Sequence, residues 1–155
     1  MLKNVPQILP PILLKVLCEM GHSDRILISD GNFPSESMGK NAIVIRMDGY
    51  DVPAVLDAIL QIFPLDEAVE KPVSLTQVMP GEDVETPIWD VYKEIVAKYD
   101  KRGADCFREV ERFAFYDEAR TAYAIVSTGE RALYGNIMLQ KGVLREADYL
   151  PVYGR

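Results

Sequence analysis

The chain carries a single histidine, His22, in the polar stretch Gly21-His22-Ser23-Asp24-Arg25 between two apolar runs. A histidine side chain titrates near neutrality, so it can give or take a proton without help from a metal. Asp30 closes the second apolar run, Arg25-Ile26-Leu27-Ile28-Ser29, where a carboxylate could orient the imidazole or accept a hydroxyl hydrogen bond. Arg112, in Arg112-Phe113-Ala114-Phe115-Tyr116, and Asn136, in Tyr134-Gly135-Asn136, offer directional donors that suit neighbouring hydroxyls. Tyr134 adds a phenol that can donate a hydrogen bond, or move a proton if its pKa is lowered.

Each residue also has a plainer reading. His22 can simply interact with the carbonyls at a helix end. Asp30 can be a turn former that bonds its own backbone. Arg112 can be a surface strand residue paired with Glu109 or Glu111, which would stabilise little. Tyr134-Gly135-Asn136 can be a turn in which the glycine supplies an unusual backbone angle. Taken singly, none of these residues decides a function.

Other chemistries lack their residues. The loop Gly31-Asn32-Phe33-Pro34 has no phosphate-cradling glycine pattern, and no GxSxG elbow occurs. No thiol or carboxylate stands at ligand spacing beside His22, so neither a metal nor a cofactor is expected. Cys18 and Cys106 are far apart and suggest neither zinc nor a disulfide framework; Cys18, in an apolar run, reads as a small core residue. A net charge of -7 argues against nucleic acid as a partner. The apolar segment Met1 to Met20 is broken by Pro10-Pro11 and Lys15 and lacks a small-residue cleavage site, so it does not read as a signal peptide. No stretch is long enough to cross a membrane, and a cytoplasmic location is expected.

The elements that must position these residues follow from periodicity and breakers. Pro11 suits a first helical turn, with Ile12, Leu13, Val16, Leu17 and Met20 at helical spacing and Gly21 as the stop. Residues 25–29 read as a buried strand, 30–34 as a loop, and 42–47 as a second strand. Val55, Leu56, Ile59 and Phe63 mark a helix ending before Pro64. Residues 73–79 read as a third strand and 80–85 as a surface loop. Thr86 is placed to cap a helix with Pro87 at its first position, running to about Tyr99. Beyond it, 108–113 reads as a strand, 116–121 as a short helix, 123–127 as a strand, 128–131 as a turn and 136–139 as a last strand. Helices alternating with short apolar strands predict an α/β fold over 1–155, a single three-layer α/β/α domain with a mostly parallel or mixed sheet. Ligands of such sheets bind at loops outside the strand ends, which brings forward His22, Asp30 and Tyr134-Gly135-Asn136.

In order, four motifs resemble the fucose/ribose mutarotase family, on its fucose branch. They are Met20-Gly21-His22; Asp30 with Phe33-Pro34; Arg112-Phe113-Ala114-Phe115-Tyr116; and Thr128-Gly129-Glu130-Arg131 with Tyr134-Gly135-Asn136. The resemblance extends from Met1 to about Val143 and leaves 144–155 as an extension without an assigned role. It implies a cofactor-independent isomerase that interconverts the α and β anomers of L-fucose by acid–base ring opening and closure. It further implies His22 as proton donor, and Asp30, Arg112, Tyr134, Gly135 and Asn136 in contact with the sugar. A monosaccharide partner and a homo-oligomer, with the decamer favoured and sites at subunit contacts, also follow from it.

Fucose-type relatives often read Gly-His-Gly-Asp-Glu where this chain has Gly21-His22-Ser23-Asp24-Arg25, so Arg25 reverses a charge close to the expected acid. Ribose-type relatives tend to carry a histidine in the stretch matching Arg112 to Tyr116, which this chain lacks. Phe33, Phe113 and Tyr116 could face the 6-methyl group of fucose, although packing is their other use. A pentose pyranase and a non-catalytic sugar-binding accessory protein are the competing readings.

Overall fold

The computed structural model describes residues 2–148, and Tyr149 to Arg155 of the expected C-terminal extension lie outside the described residues. Proline lacks the N–H that a first helical turn would leave unpaired, and it opens two helices here, α1 (Pro11–Glu19) and α4 (Pro87–Ala97). Between them come β1 (Arg25–Ser29), α2 (Ser35–Met38), β2 (Ile43–Met47), α3 (Val52–Leu60) and β3 (Val73–Thr76). The chain continues through β4 (Phe107–Val110), α5 (Arg112–Arg120), β5 (Ala124–Thr128) and β6 (Ile137–Gln140).

The strands form one sheet in the order β2-β5-β1-β6-β3-β4. β6 runs antiparallel to both its neighbours, while β2 and β1 lie parallel to β5 and β3 lies parallel to β4. Alternation along the strands divides their side chains between two layers. Ile26, Ile28, Ala124, Val126, Ile137 and Leu139 pack with α1, α3 and α4 on one face. Leu27, Ile125 and Met138 pack with Phe33 and with Phe115 and Ala119 of α5 on the other. This is the three-layer α/β/α arrangement with a mixed sheet that the pattern of elements predicts. Fully burying each Leu or Ile is worth about 1.5–3 kcal/mol, so the central strands are fixed far more firmly than any polar group at their ends.

The structure corrects several sequence expectations. The strand expected over 108–113 ends at Val110, and Arg112 to Tyr116 belong to a helix. Glu111 is the cause: its carboxylate accepts the N–H groups of Phe113 and Ala114 at 3.0 and 3.1 Å, starting α5 where Phe-Ala-Phe-Tyr alternation suggests a strand. Thr86 precedes α4 without a capping side-chain bond. The strand expected over 73–79 stops at Thr76, and the last strand is shifted by one residue, leaving Asn136 just outside it. Cys18 is exposed on the outer face of α1 and is not a core residue; Cys106 is buried. No helix among the described residues is long and apolar enough to cross a membrane.

Candidate functional site

A cleft of about 260 Å³ opens where the parallel strands end, lined by Asp30 after β1, Thr76 at the end of β3, Arg112 and Tyr116 of α5, and Tyr134 and Asn136 before β6. Its volume falls below the ~300–1,000 Å³ of sites for drug-sized ligands, which suits one small molecule. Asp30 and Asn136 meet because β1 and β6 are antiparallel neighbours in register Ile28 to Ile137. They form a reciprocal clamp: the Asp30 N–H donates to Asn136 Oδ1 at 3.0 Å, and Asn136 Nδ2 donates to Asp30 Oδ2 at 2.8 Å. The Asn32 N–H donates to Asp30 Oδ1 at 2.9 Å, so part of the expected turn-forming role is also present. Burial pushes the Asp30 carboxyl above the usual carboxylate range, and the hydrogen bonds it accepts oppose that without cancelling it.

The 134–136 turn is held from below by α4. Trp89 Nε1 donates to the Tyr134 carbonyl at 2.9 Å, and the Tyr92 hydroxyl donates to the Gly135 carbonyl at 2.6 Å. The unusual backbone angle falls on Tyr134, with φ of 56°, and not on Gly135. The need for glycine at 135 is spatial: a Cβ there would lie 3.0 Å from the Ala132 carbonyl oxygen and 3.3 Å from Asp30 Cβ. The Tyr134 hydroxyl donates to Glu82 and accepts the Met79 N–H at 3.2 Å. The Glu82 bond raises the Tyr134 pKa, the opposite direction from the lowering that proton transfer by the phenol would call for.

Arg112 makes no ion pair with Glu109 or Glu111. Its guanidinium lies 5.8 Å from the centroid of the Tyr116 ring and reaches Met79 Sδ at 3.1 Å, and it has no carboxylate partner among the described residues. Its other donors therefore remain available to a ligand. Phe33 and Tyr116 meet edge to face at 5.5 Å on the cleft wall, and Leu133 adds an apolar rim. Phe113 is 66% exposed and does not line the cleft, so only Phe33 and Tyr116 of the three expected aromatics do.

Thr76, Glu82, Asn32 and Leu133 also line the cleft and were not singled out from sequence. Thr76 is the most informative. Its Oγ1 is buried without a hydrogen-bond partner among the described residues, a state that costs about 1–3 kcal/mol unless a ligand satisfies it. Its signal in the sequence is only its place at the end of an apolar strand. No group of three His, Cys, Asp or Glu among the described residues could hold a metal ion.

His22 is not in this cleft. It precedes β1 and Asp30 follows it, and the four rises of ~3.3 Å along the five-residue strand hold its two ends roughly 13 Å apart. Asp30 therefore does not orient the imidazole of its own chain. His22 instead meets Asp66, its Nε2 standing 3.1 Å from Asp66 Oδ2. Arg25 is turned to Glu118 of α5 at 2.8 Å, where Arg108 also binds at 2.7 Å, so its guanidinium is engaged with α5 and not with the imidazole.

Residues 3–144 match the model of the RbsD / FucU transport protein family. The fucose mutarotase of Mus musculus is 43% identical over 150 residues, covering 92% of this chain and 95% of that protein. The FucU of Bifidobacterium longum is 56% identical, with a TM-score of 0.91 over 92% of this chain and 100% of that one. The fucose mutarotase of Streptococcus pneumoniae, whose crystal structure is a complex with L-fucose, is 40% identical. Its TM-score is 0.85 over 93% of this chain and 100% of that one.

Proposed function

The chain belongs to the RbsD / FucU transport protein family, and from that membership we propose that it is an L-fucose mutarotase, an isomerase acting on one monosaccharide without a cofactor. The observation that carries the reading is the cleft itself, in which Asp30, Asn136, Arg112, Tyr134 and the unpartnered Thr76 hydroxyl face one monosaccharide-sized space. An apolar wall of Phe33, Tyr116 and Leu133 suits the 6-methyl group of fucose and has no equivalent partner on a pentose.

Ring opening needs a base for the anomeric hydroxyl and an acid for the ring oxygen. Asp30 serves as the base: its raised pKa makes its carboxylate a stronger proton acceptor than a surface aspartate, and its two oxygens are held by Asn32 and Asn136. It takes the anomeric proton as the bond from the first carbon to the ring oxygen breaks. The ring oxygen then receives a proton from His22. Rotation about the bond between the first two carbons and the reverse proton transfers give the other anomer. Arg112 and Tyr134 donate to the remaining hydroxyls.

The single chain cannot complete this site, since His22 stands at the opposite end of β1. A neighbouring copy supplies it, in a homo-oligomer for which we favour the decamer. Leu133 at the cleft rim is 59% exposed, and Val143 and Leu144 near the His22 end are 50% and 49% exposed, apolar area that a second copy would cover. We take residues 1–155 as one domain and the cytoplasm as its compartment.

Exchange NMR on anomeric protons tests the proposal, with L-fucose equilibrating faster than D-ribose at equal protein. No acceleration of either sugar above buffer would overturn it, and faster ribose exchange would move it to a pentose. His22→Ala and Asn136→Ala chains, each nearly inactive, should regain part of the activity when refolded together. No recovery in chains shown by mass spectrometry to mix would reject the shared site.

A further inference from the structure

Glu82 lines the cleft but has no part in the proposed chemistry. It comes from the connection between β3 and α4, which begins after Thr76, the buried residue whose hydroxyl lacks a partner among the described residues. Met79-Pro80-Gly81-Glu82 turns the chain there. Proline second and glycine third are the residues a type II turn asks for, and Gly81 supplies the left-handed angle with φ of 89°. The Glu82 N–H closes the turn on the Met79 carbonyl at 3.1 Å. Two further bonds tie the connection down, the Gln77 N–H donating to the Val110 carbonyl at 2.8 Å and the Met79 N–H to the Tyr134 hydroxyl at 3.2 Å. An exposed carboxylate is thereby held at the cleft wall by its own backbone.

This carboxylate is only half used. Oε2 accepts the Tyr134 hydroxyl hydrogen, whereas Oε1 has no hydrogen-bond partner and neither oxygen pairs with a cation among the described residues. Tyr134 is the opposite case. A phenol has one hydrogen, and this one is spent on Glu82. Tyr134 can donate to a sugar only by giving up that bond, and Glu82 then needs another hydrogen in its place. A sugar hydroxyl has both a hydrogen to give and lone pairs to receive one.

Resting on the mutarotase reading, we infer that Glu82 is a specificity-determining residue that accepts the hydrogen of one fucose hydroxyl, the same hydroxyl whose oxygen receives the Tyr134 phenol hydrogen. The sugar inserts into the existing bond, so that Tyr134 donates to the sugar hydroxyl and the sugar hydroxyl donates to Glu82. One hydrogen bond becomes two, and no proton changes owner. The direction is fixed, because an ionised carboxylate only accepts. In that reading Asp30 engages the anomeric hydroxyl and His22 the ring oxygen, which leaves the hydroxyls on the second, third and fourth carbons. An analogue lacking the hydroxyl in question leaves the bond from Tyr134 to Glu82 as it stands and gains nothing from either residue. A site built to bond a substrate hydroxyl discriminates in this way against sugars without it.

The test is titration calorimetry of the assembled protein with L-fucose and with its three analogues lacking the hydroxyl at the second, third or fourth carbon. Glu82→Gln keeps the size and one acceptor oxygen and removes the charge. It should weaken L-fucose binding about tenfold, the difference between a hydrogen bond to a charged and to a neutral acceptor, while kcat for fucose exchange stays within threefold. Because Glu82 is exposed, the variant should melt with wild type. The same loss should appear with two of the analogues and shrink below twofold with the third, which lacks the hydroxyl that Glu82 reads. A loss below twofold with L-fucose itself would overturn the inference. So would an equal loss with all three analogues, the result expected of a carboxylate that only holds Tyr134 or the turn. Wild-type protein that binds L-fucose without speeding its exchange would instead sink the mutarotase reading and leave the Glu82 comparison intact, so the two failures are distinct.

Discussion

Asp30 and Asp66 are both buried, at 5% and 2% exposure, and they sit by opposite ends of the same antiparallel pair, β1 and β6. Asn136 leads into β6 beside Asp30, and Gln140 ends β6 beside Asp66. Their environments push the two carboxyls in opposite directions. Burial dominates at Asp30 and raises it. At Asp66 burial is the largest single influence, yet bonds from Ala68, Gln140 and His22 together outweigh it and hold the carboxyl below its ordinary value. In the proposed reading the same residue type is a proton acceptor at the cleft, while beside the histidine its environment favours the ionised form. A rigid strand pair keeps the two apart, and in the proposed reading the full set of groups meets only between chains.

The comparison breaks most visibly at the cleft. Asp30→Asn should lower kcat for fucose exchange by roughly 10²–10⁴-fold, the usual contribution of one acid–base group, because Asn fills the same space but cannot take the proton, and its NH2 must replace an oxygen that accepts from Asn32 or Asn136. Exchange NMR at saturating sugar checks this, and a kcat near wild type would return Asp30 to a binding role. Gly135→Ala comes next. The added methyl meets the Ala132 carbonyl and Asp30 Cβ, so a loss of about 1–3 kcal/mol of stability with weakened sugar binding is expected by thermal melt and titration.

The Asp66 end sharpens the contrast through pH. Asp66→Asn should cost about 1–3 kcal/mol at neutral pH by leaving buried partners short of an acceptor. Because the folded-state pKa is depressed, that stabilisation is present above the unfolded value of 3.8 and is lost as pH falls through the lower folded value. The melting difference from wild type should therefore shrink in acid. At Asp30 the sign reverses. The folded protein holds its proton above 3.8, so this group's contribution is full below 3.8 and disappears as pH rises through the raised value. Melting curves of both Asn variants against pH should show slopes of opposite sign relative to wild type, and parallel slopes would contradict the assignment.

Smaller effects are expected from two local conflicts. Thr76→Val removes a buried unpartnered hydroxyl, so the sugar-free protein should gain about 1 kcal/mol while KM for fucose rises severalfold. A stability gain with unchanged KM would show that the hydroxyl does not meet the sugar. Ser23 holds φ at 70°, a left-handed conformation that disfavours a side chain. Ser23→Gly should stabilise by about 0.5–1 kcal/mol, the left-handed penalty less the extra chain entropy of glycine, and a lowered melting temperature would contradict it.

Much of this was legible in residue order. Apolar runs of strand length, proline at helix starts and the polar residues after them located Asp30, Arg112, Tyr134 and Asn136, which the structure gathers around one cleft, and Gly135, which lies in the turn between the last two. Arg112 was placed on the wrong element, because alternating aromatics mimic a strand and only the Glu111 side chain reveals a helix start. His22 stood out by being unique, but sequence neighbourhood suggested Asp30 as its partner when the fold provides Asp66.

The sequence by itself determined most of the segments that become helices and strands and which polar groups stand near their ends, because these follow from local periodicity and backbone chemistry, which misled only where alternating aromatics precede α5 and at a few element ends. Tertiary structure alone decided which ends meet. Inserting β6 antiparallel between β1 and β3 sets Asn136 against Asp30 and Gln140 against Asp66, pairings across long chain separations that no local spacing encodes. The five-residue length of β1 then divides the polar groups between two ends, since buried strands are too stiff to bend one onto the other.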